Sequence, residues 1–186
     1  MSYASAQVLE TPEPDASTTR ASWRVAPTTS DRVESGTFRS VSGGFTLAIP
    51  EMPFETREYG TEKAKAKGVD AGKLYLWKFG KTIYTAFYSP PVNKDGDPLP
   101  ESLASMQSGS RRGISSGRGI LVSEKVIKYG DNPGTEFRYT SPEGIKFISR
   151  LYLIGDVGYQ IVGGYSDDQD EEKVLEVLNS FAIRSR

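Results

Sequence analysis

Three stretches of this chain hold residue types that could do chemistry. The first, Gly109-Ser110-Arg111-Arg112-Gly113-Ile114-Ser115-Ser116-Gly117-Arg118-Gly119, combines glycines, which expose backbone N–H groups, with arginines that could neutralise an anion. It matches neither GxxxxGK[ST] nor a GxGxxG lying between strand and helix. It also follows a segment that reads as a helix, whereas anions are favoured at helix N-termini. The expectation is a loop that contacts a partner protein through Arg111, Arg112 and Arg118. The second stretch, Asp167-Asp168-Gln169-Asp170-Glu171-Glu172, lacks the ligand spacing of a calcium loop. Carboxylates there suit the start of a helix, where the macrodipole favours them. The third is aromatic: Tyr75, Trp77, Phe79, Tyr84, Phe87 and Tyr88 could stack nucleic-acid bases on an open sheet. No RNA-recognition motif accompanies them, so packing between sheet and helix is the expectation, with a protein-binding face second.

What is missing narrows the chemistry further. The sequence contains no Cys and no His, which excludes thiolate nucleophiles, disulfides, Cys- or His-ligated zinc, Ser-His-Asp triads and HExxH proteases. Nothing in the pattern nominates a carboxylate pair or a Ser-Lys dyad. No enzyme, cofactor or metal is expected.

These residues must be positioned by one folded unit. At 186 residues, with 37% hydrophobic and 25% charged residues and a net charge of -1, the chain reads as a single soluble domain and not as a nucleic-acid binder. Met1 to about Ser35 is rich in Ser, Thr, Pro and Ala and cannot bury enough surface to offset its ordering entropy. Residues 1–35 therefore read as an extended arm, disordered when free, with Trp23, flanked by Arg24 and Val25, as the natural anchor for a partner. Residues 36–186 read as the folded domain. No signal peptide and no membrane span is legible, which implies a cytoplasmic protein or one peripheral on a membrane complex.

Within the domain, Thr37–Val41 and Phe45–Ile49 alternate about Ser42-Gly43-Gly44, a hairpin whose Phe45, Leu47 and Ile49 share a face. Residues 51–70 are ambiguous. Two aromatic runs joined by Gly80-Lys81 predict a second hairpin. A helix entering near Ser102 is expected to fray into the glycine run. Ile120–Tyr129 reads as a strand, Asp131-Asn132-Pro133-Gly134 as a turn, and the runs from Thr135, Ile145 and Tyr159 as a strand meander. Val174, Val177, Leu178 and Phe181 then mark one apolar helical face that must lie on the sheet. The sum is an α+β fold, an antiparallel sheet with segregated helices.

Gly44-Phe45-Thr46-Leu47-Ala48-Ile49-Pro50 resembles the opening of PsbP-like domains. The stretch from Asn132 to Phe181 resembles their ending, with its Arg150-Leu151-Tyr152-Leu153 strand and its helix closing on Asn179-Ser180-Phe181. The resemblance implies the PsbP/Mog1-type α/β/α sandwich, whose members are generally not enzymes. PsbP is a peripheral photosystem II subunit, related domains serve as assembly factors or lipoproteins, and Mog1 binds a small GTPase. Pro50-Glu51-Met52 stands where a tryptophan commonly follows the opening proline, so no family binding residue carries over. The expected function is a non-catalytic accessory or assembly subunit of a larger protein complex, photosynthetic by resemblance and held partly by the arm. The alternative is a small-ligand or lipid-binding module with a pocket between sheet and helix, lined by the Tyr75-to-Tyr88 aromatics.

Overall fold

The computed structural model describes residues 30–97 and 102–184. Its frame is two antiparallel sheets. The larger is built on the hairpin of β5 (Lys73–Phe79) and β6 (Thr82–Ser89), where Phe79 pairs with Thr82 across Gly80-Lys81. Gly80 has φ +57°, the left-handed geometry that a two-residue hairpin link requires. The meander β7 (Ile120–Tyr129), β8 (Asn132–Thr140), β9 (Lys146–Ile154) and β10 (Val157–Tyr165) docks on β6 through β10, and β4 (Glu55–Glu58) closes the far side. The order across this sheet is β4-β5-β6-β10-β9-β8-β7, so β7 is an edge.

The smaller sheet is β1 (Arg32–Glu34), β2 (Thr37–Ser40), β3 (Phe45–Leu47) and β11 (Ala182–Ile183), paired in the order β1-β2-β3-β11. It opens at Arg32, inside the stretch that reads as the arm, and the Asp31 carboxylate accepts from Val41 N at 2.8 Å and Tyr75 Oη at 2.9 Å. The predicted Phe45 hairpin is β2–β3. Both neighbours of β3 are strands, and all three of its residues are buried.

Period-2 alternation sorts the large sheet into two faces. Tyr75, Trp77, Tyr84, Ala86, Tyr88, Ile148, Tyr152, Tyr159 and Ile161 turn inward to a core shared with Phe38, Phe45, Leu47 and Ile49 of the N-terminal segment. Helix α3 (Glu171–Asn179) covers the rest of that face with Val174 and Leu178, its predicted apolar stripe, and Phe181 follows it into the core. The acidic run performs the expected helix-entry role: Asp167 accepts from Gln169 N at 3.0 Å, and Glu171 and Glu172 occupy the first turn. The α+β architecture expected from the sequence is present.

Two local expectations are corrected. Asp131–Gly134 is not the turn: Tyr129 pairs with Asn132 across Gly130-Asp131, and Pro133 and Gly134 lie in β8. Pro133 precedes the first residue of β8 that pairs with β9, so its missing N–H removes no bond to that strand. The glycine run is not a loop. Helix α2 (Leu103–Ser116) passes through Gly109 and Gly113 and ends at Gly117. The ambiguous 51–70 segment holds β4 and the short α1 (Glu62–Ala66).

Candidate functional site

The outer face of the large sheet carries only partial cover, and two features there are shaped for contact. The first is β7. Sequence makes it a strand through its run of β-branched residues, and strand order makes it an edge, so one side of its backbone has no strand partner among the described residues. Ile120 is 71% exposed, Leu121 42%, Val122 66% and Val126 83%. The register shifts between Leu121 and Ser123, leaving Val122 without an opposite residue, a bulge that twists one end of the edge. Such a row of aliphatic side chains along free N–H and C=O groups is a ready template for another strand.

The second feature is a cleft of about 600 Å³ between α2 and the sheet. Ser102 caps α2, its Oγ accepting from Ser105 N at 3.1 Å, yet no residue of the helix is fully buried. It is held by a few side chains. Gln107 Nε2 donates to Thr135 Oγ1 at 2.7 Å, and Arg111 forks onto Glu124 of β7 with Nε to Oε2 at 3.0 Å. The same guanidinium lies 6.0 Å above the Phe137 ring. Met106 packs on Gly158 so closely that a Cβ there would meet its sulfur at 3.0 Å. Away from these anchors the helix stands off from the sheet. The floor of the gap is Phe87, Leu151 and Tyr139, and exposed Gly109 and Gly113 border its open side. Burial pushes the Tyr139 hydroxyl above its ordinary pKa, keeping it neutral.

A Cβ added at Gly109 or Gly113 would meet nothing within 4 Å. Neither has the positive φ that favours glycine. Gly109→Ala and Gly113→Ala are each therefore expected to stabilise the fold by about 0.5–1 kcal/mol, read as a higher midpoint in urea unfolding.

The sequence-predicted residues fall unevenly on this surface. Arg111 is in an ion pair with Glu124 at 2.5 Å, while Arg112 and Arg118 are exposed and form no ion pair among the described residues. Arg118 takes φ +55° just past the helix. Because Gly109 and Gly113 lie in a helix, their amides are oriented by the helical ladder, and the anion-cradle geometry does not form. Trp23, Arg24 and Val25 lie outside the described residues. Of the aromatics expected to line a pocket, only Phe87 does so; Tyr75, Trp77, Tyr84 and Tyr88 face the opposite side and are buried in the core. The sequence reading misses β7 as an edge and the cleft that Gly109 and Gly113 of α2 border. Its signal for the first is the unbroken Ile120-Leu121-Val122 run, which fits neither a single buried face nor a solvated one. Among the described residues no group of three Asp or Glu side chains could hold a metal ion. No helix there is long and apolar enough to cross a membrane.

No known protein-family profile matches the chain, and no curated protein matches it. Among solved structures it is similar to cyanobacterial PsbP (CyanoP) from Synechocystis sp. PCC 6803, at 10% sequence identity and a TM-score of 0.52, over 88% of this chain and 98% of that one. The Saccharomyces cerevisiae Ran-binding protein Mog1p aligns at 10% identity and a TM-score of 0.41, over 84% of this chain and 96% of that one. The likeness to cyanobacterial PsbP shows that the chain has a PsbP/Mog1-like fold.

Proposed function

We propose that this PsbP-like domain is a non-catalytic accessory or assembly subunit, peripheral to a larger protein complex that it engages through the free edge of β7. The observation that carries this reading is the exposure of Ile120, Leu121, Val122 and Val126 along an unpaired strand edge. Fully burying a side chain of this kind contributes about 1.5–3 kcal/mol, so a partner strand laid on β7 gains apolar contact together with backbone hydrogen bonds. Arg118, two residues before Ile120 at the start of that edge, suits a partner with acidic residues at its rim, and exposed Arg112 on α2 adds positive charge to the same reading. The N-terminal arm with Trp23, Arg24 and Val25 is a second point of attachment in this reading. The sequence resemblance to PsbP-like domains supports a photosynthetic setting for that complex.

The test is affinity purification of the tagged full chain from its native cells. Val126→Lys places a charge at the most exposed aliphatic position of the edge, where the fold itself makes little use of the side chain. The recovered complex is expected to fall at least tenfold, with an unchanged circular dichroism spectrum. Recovery equal to wild type contradicts the edge as the binding surface. Truncation for the arm should remove 1–29 and not 1–35, because Asp31 and β1 belong to the fold.

A further inference from the structure

The cleft under α2 calls for an occupant that the β7 edge does not explain. It follows the helix from Ser105 to Gly117, a length of roughly 18 Å at helical rise, and offers about 600 Å³, within the range of small-molecule sites. Its floor reaches across β6, β10, β9 and β8, so it is a groove open along one side of the helix and long enough for an extended chain. Its lining holds no charged residue. Apolar surface comes from Phe87, Leu151, Met106 and Ile114, and hydroxyl or amide groups come from serines and Gln160. Gln160 Nε2 already donates to Ser149 Oγ at 3.0 Å, leaving acceptor capacity on both.

The helix is also built in a way that keeps this space open. Glycines inside a helix cost stability, and neither Gly109 nor Gly113 is needed for close approach, since a Cβ at either would meet nothing within 4 Å. Alanine or leucine there would strengthen the helix, and leucine would narrow the mouth of the cleft.

We propose that this cleft binds a neutral single-chain amphiphile, its chain lying along α2 and its hydroxyl-bearing head on serine hydroxyls of the lining. A carboxylate of the same chain length is disfavoured, because no cation in the lining replaces the hydration it would lose. This site is separate from the β7 edge.

The experiment is calorimetric titration of the full-length protein with 1-monodecanoylglycerol below its micelle concentration, and with decanoate in parallel. Saturable 1:1 binding of the glyceride, and binding of decanoate at least tenfold weaker, are expected. Gly113→Leu should weaken glyceride binding at least tenfold while raising the unfolding midpoint, which shows that the variant is folded; Gly109→Leu is the second variant, in case the larger side chain at position 113 shifts the helix. Val126→Lys should bind the glyceride as wild type does, so failure of the edge reading leaves this result standing. Absence of saturable binding by wild type overturns the proposal, as does wild-type affinity in both leucine variants. Decanoate binding equal to or tighter than the glyceride overturns the ligand class.

Discussion

Glu136→Ala is expected to lower the unfolding free energy by about 3–5 kcal/mol, the range for breaking one partner out of a buried ion pair. Glu136 lies on β8 with a side chain only 9% exposed, between Arg150 on β9, 14% exposed, and Arg138. Its Oε2 accepts from Arg150 Nε at 2.9 Å and its Oε1 from Arg138 Nε at 3.1 Å. The two arginines reach on to α3: Arg150 Nη1 donates to Asn179 Oδ1 at 2.8 Å, and Arg138 Nη1 to Glu171 Oε1 at 2.6 Å. One carboxylate thus joins two strands to both ends of the helix. Removing it leaves Arg150 buried with a neutral partner. Replacing Glu136 and Arg150 together by leucine is expected to recover most of the loss, because no uncompensated charge remains. Urea unfolding measures both, and a loss below about 1 kcal/mol for the single variant contradicts this account.

The same network sets an acid limit. Arg138, then Tyr165, holds the Glu171 carboxyl below its ordinary value of 4.5. A folded-state pKa below the unfolded one contributes stability that is present above about pH 4.5 and is lost as pH falls through the lower folded value. Glu171→Gln should flatten that part of the stability profile. A profile parallel to wild type below pH 4.5 contradicts the assignment.

Trp77→Ala is expected to cost about 3–5 kcal/mol by the same measurement. Trp77 is 1% exposed and sits between the two sheets, edge-on to Phe38 at 5.0 Å and stacked on Tyr75 at 6.0 Å. Its Nε1–H donates to the Glu51 carbonyl at 3.0 Å, fixing the chain that leaves the small sheet for β4. Alanine removes the ring that joins the sheets and leaves that carbonyl without its donor. Trp77→Phe retains much of the apolar contact and should cost less; equal losses would show that the hydrogen bond, not the packing, dominates.

How far the sequence reveals this architecture depends on how local each signal is. The β5–β6 hairpin is legible because a two-residue Gly-Lys link lies between two β-rich runs. Helix α3 is legible from the i, i+3, i+4 spacing of Val174, Val177 and Leu178. Strand β11 is not, because two residues pair with Phe45 and Thr46 far away in sequence. Pro133-Gly134 carries the composition of a turn, yet tertiary pairing places it in a strand. Helix α2 defeats propensity in the same way: its glycines predict fraying, and bonds from Gln107 and Arg111 to the sheet hold it. Of the candidate site, the strand β7 is legible, but its edge position is a property of strand order, which no local pattern encodes. A pocket between sheet and helix is present but lined differently from the expectation, because alternation sends Phe87 to one face and Tyr84, Ala86 and Tyr88 to the other.

The central claim is that the outer edge of β7 is paired by a partner strand when the protein works. Amide hydrogen exchange of the full-length protein, free and in the complex purified with it, tests this most directly. The claim predicts that outward-pointing amides within Ile120–Tyr129 slow at least about tenfold in the complex, since they pass from water into a sheet ladder. Unchanged exchange along β7, with new protection confined to other surfaces, would contradict it.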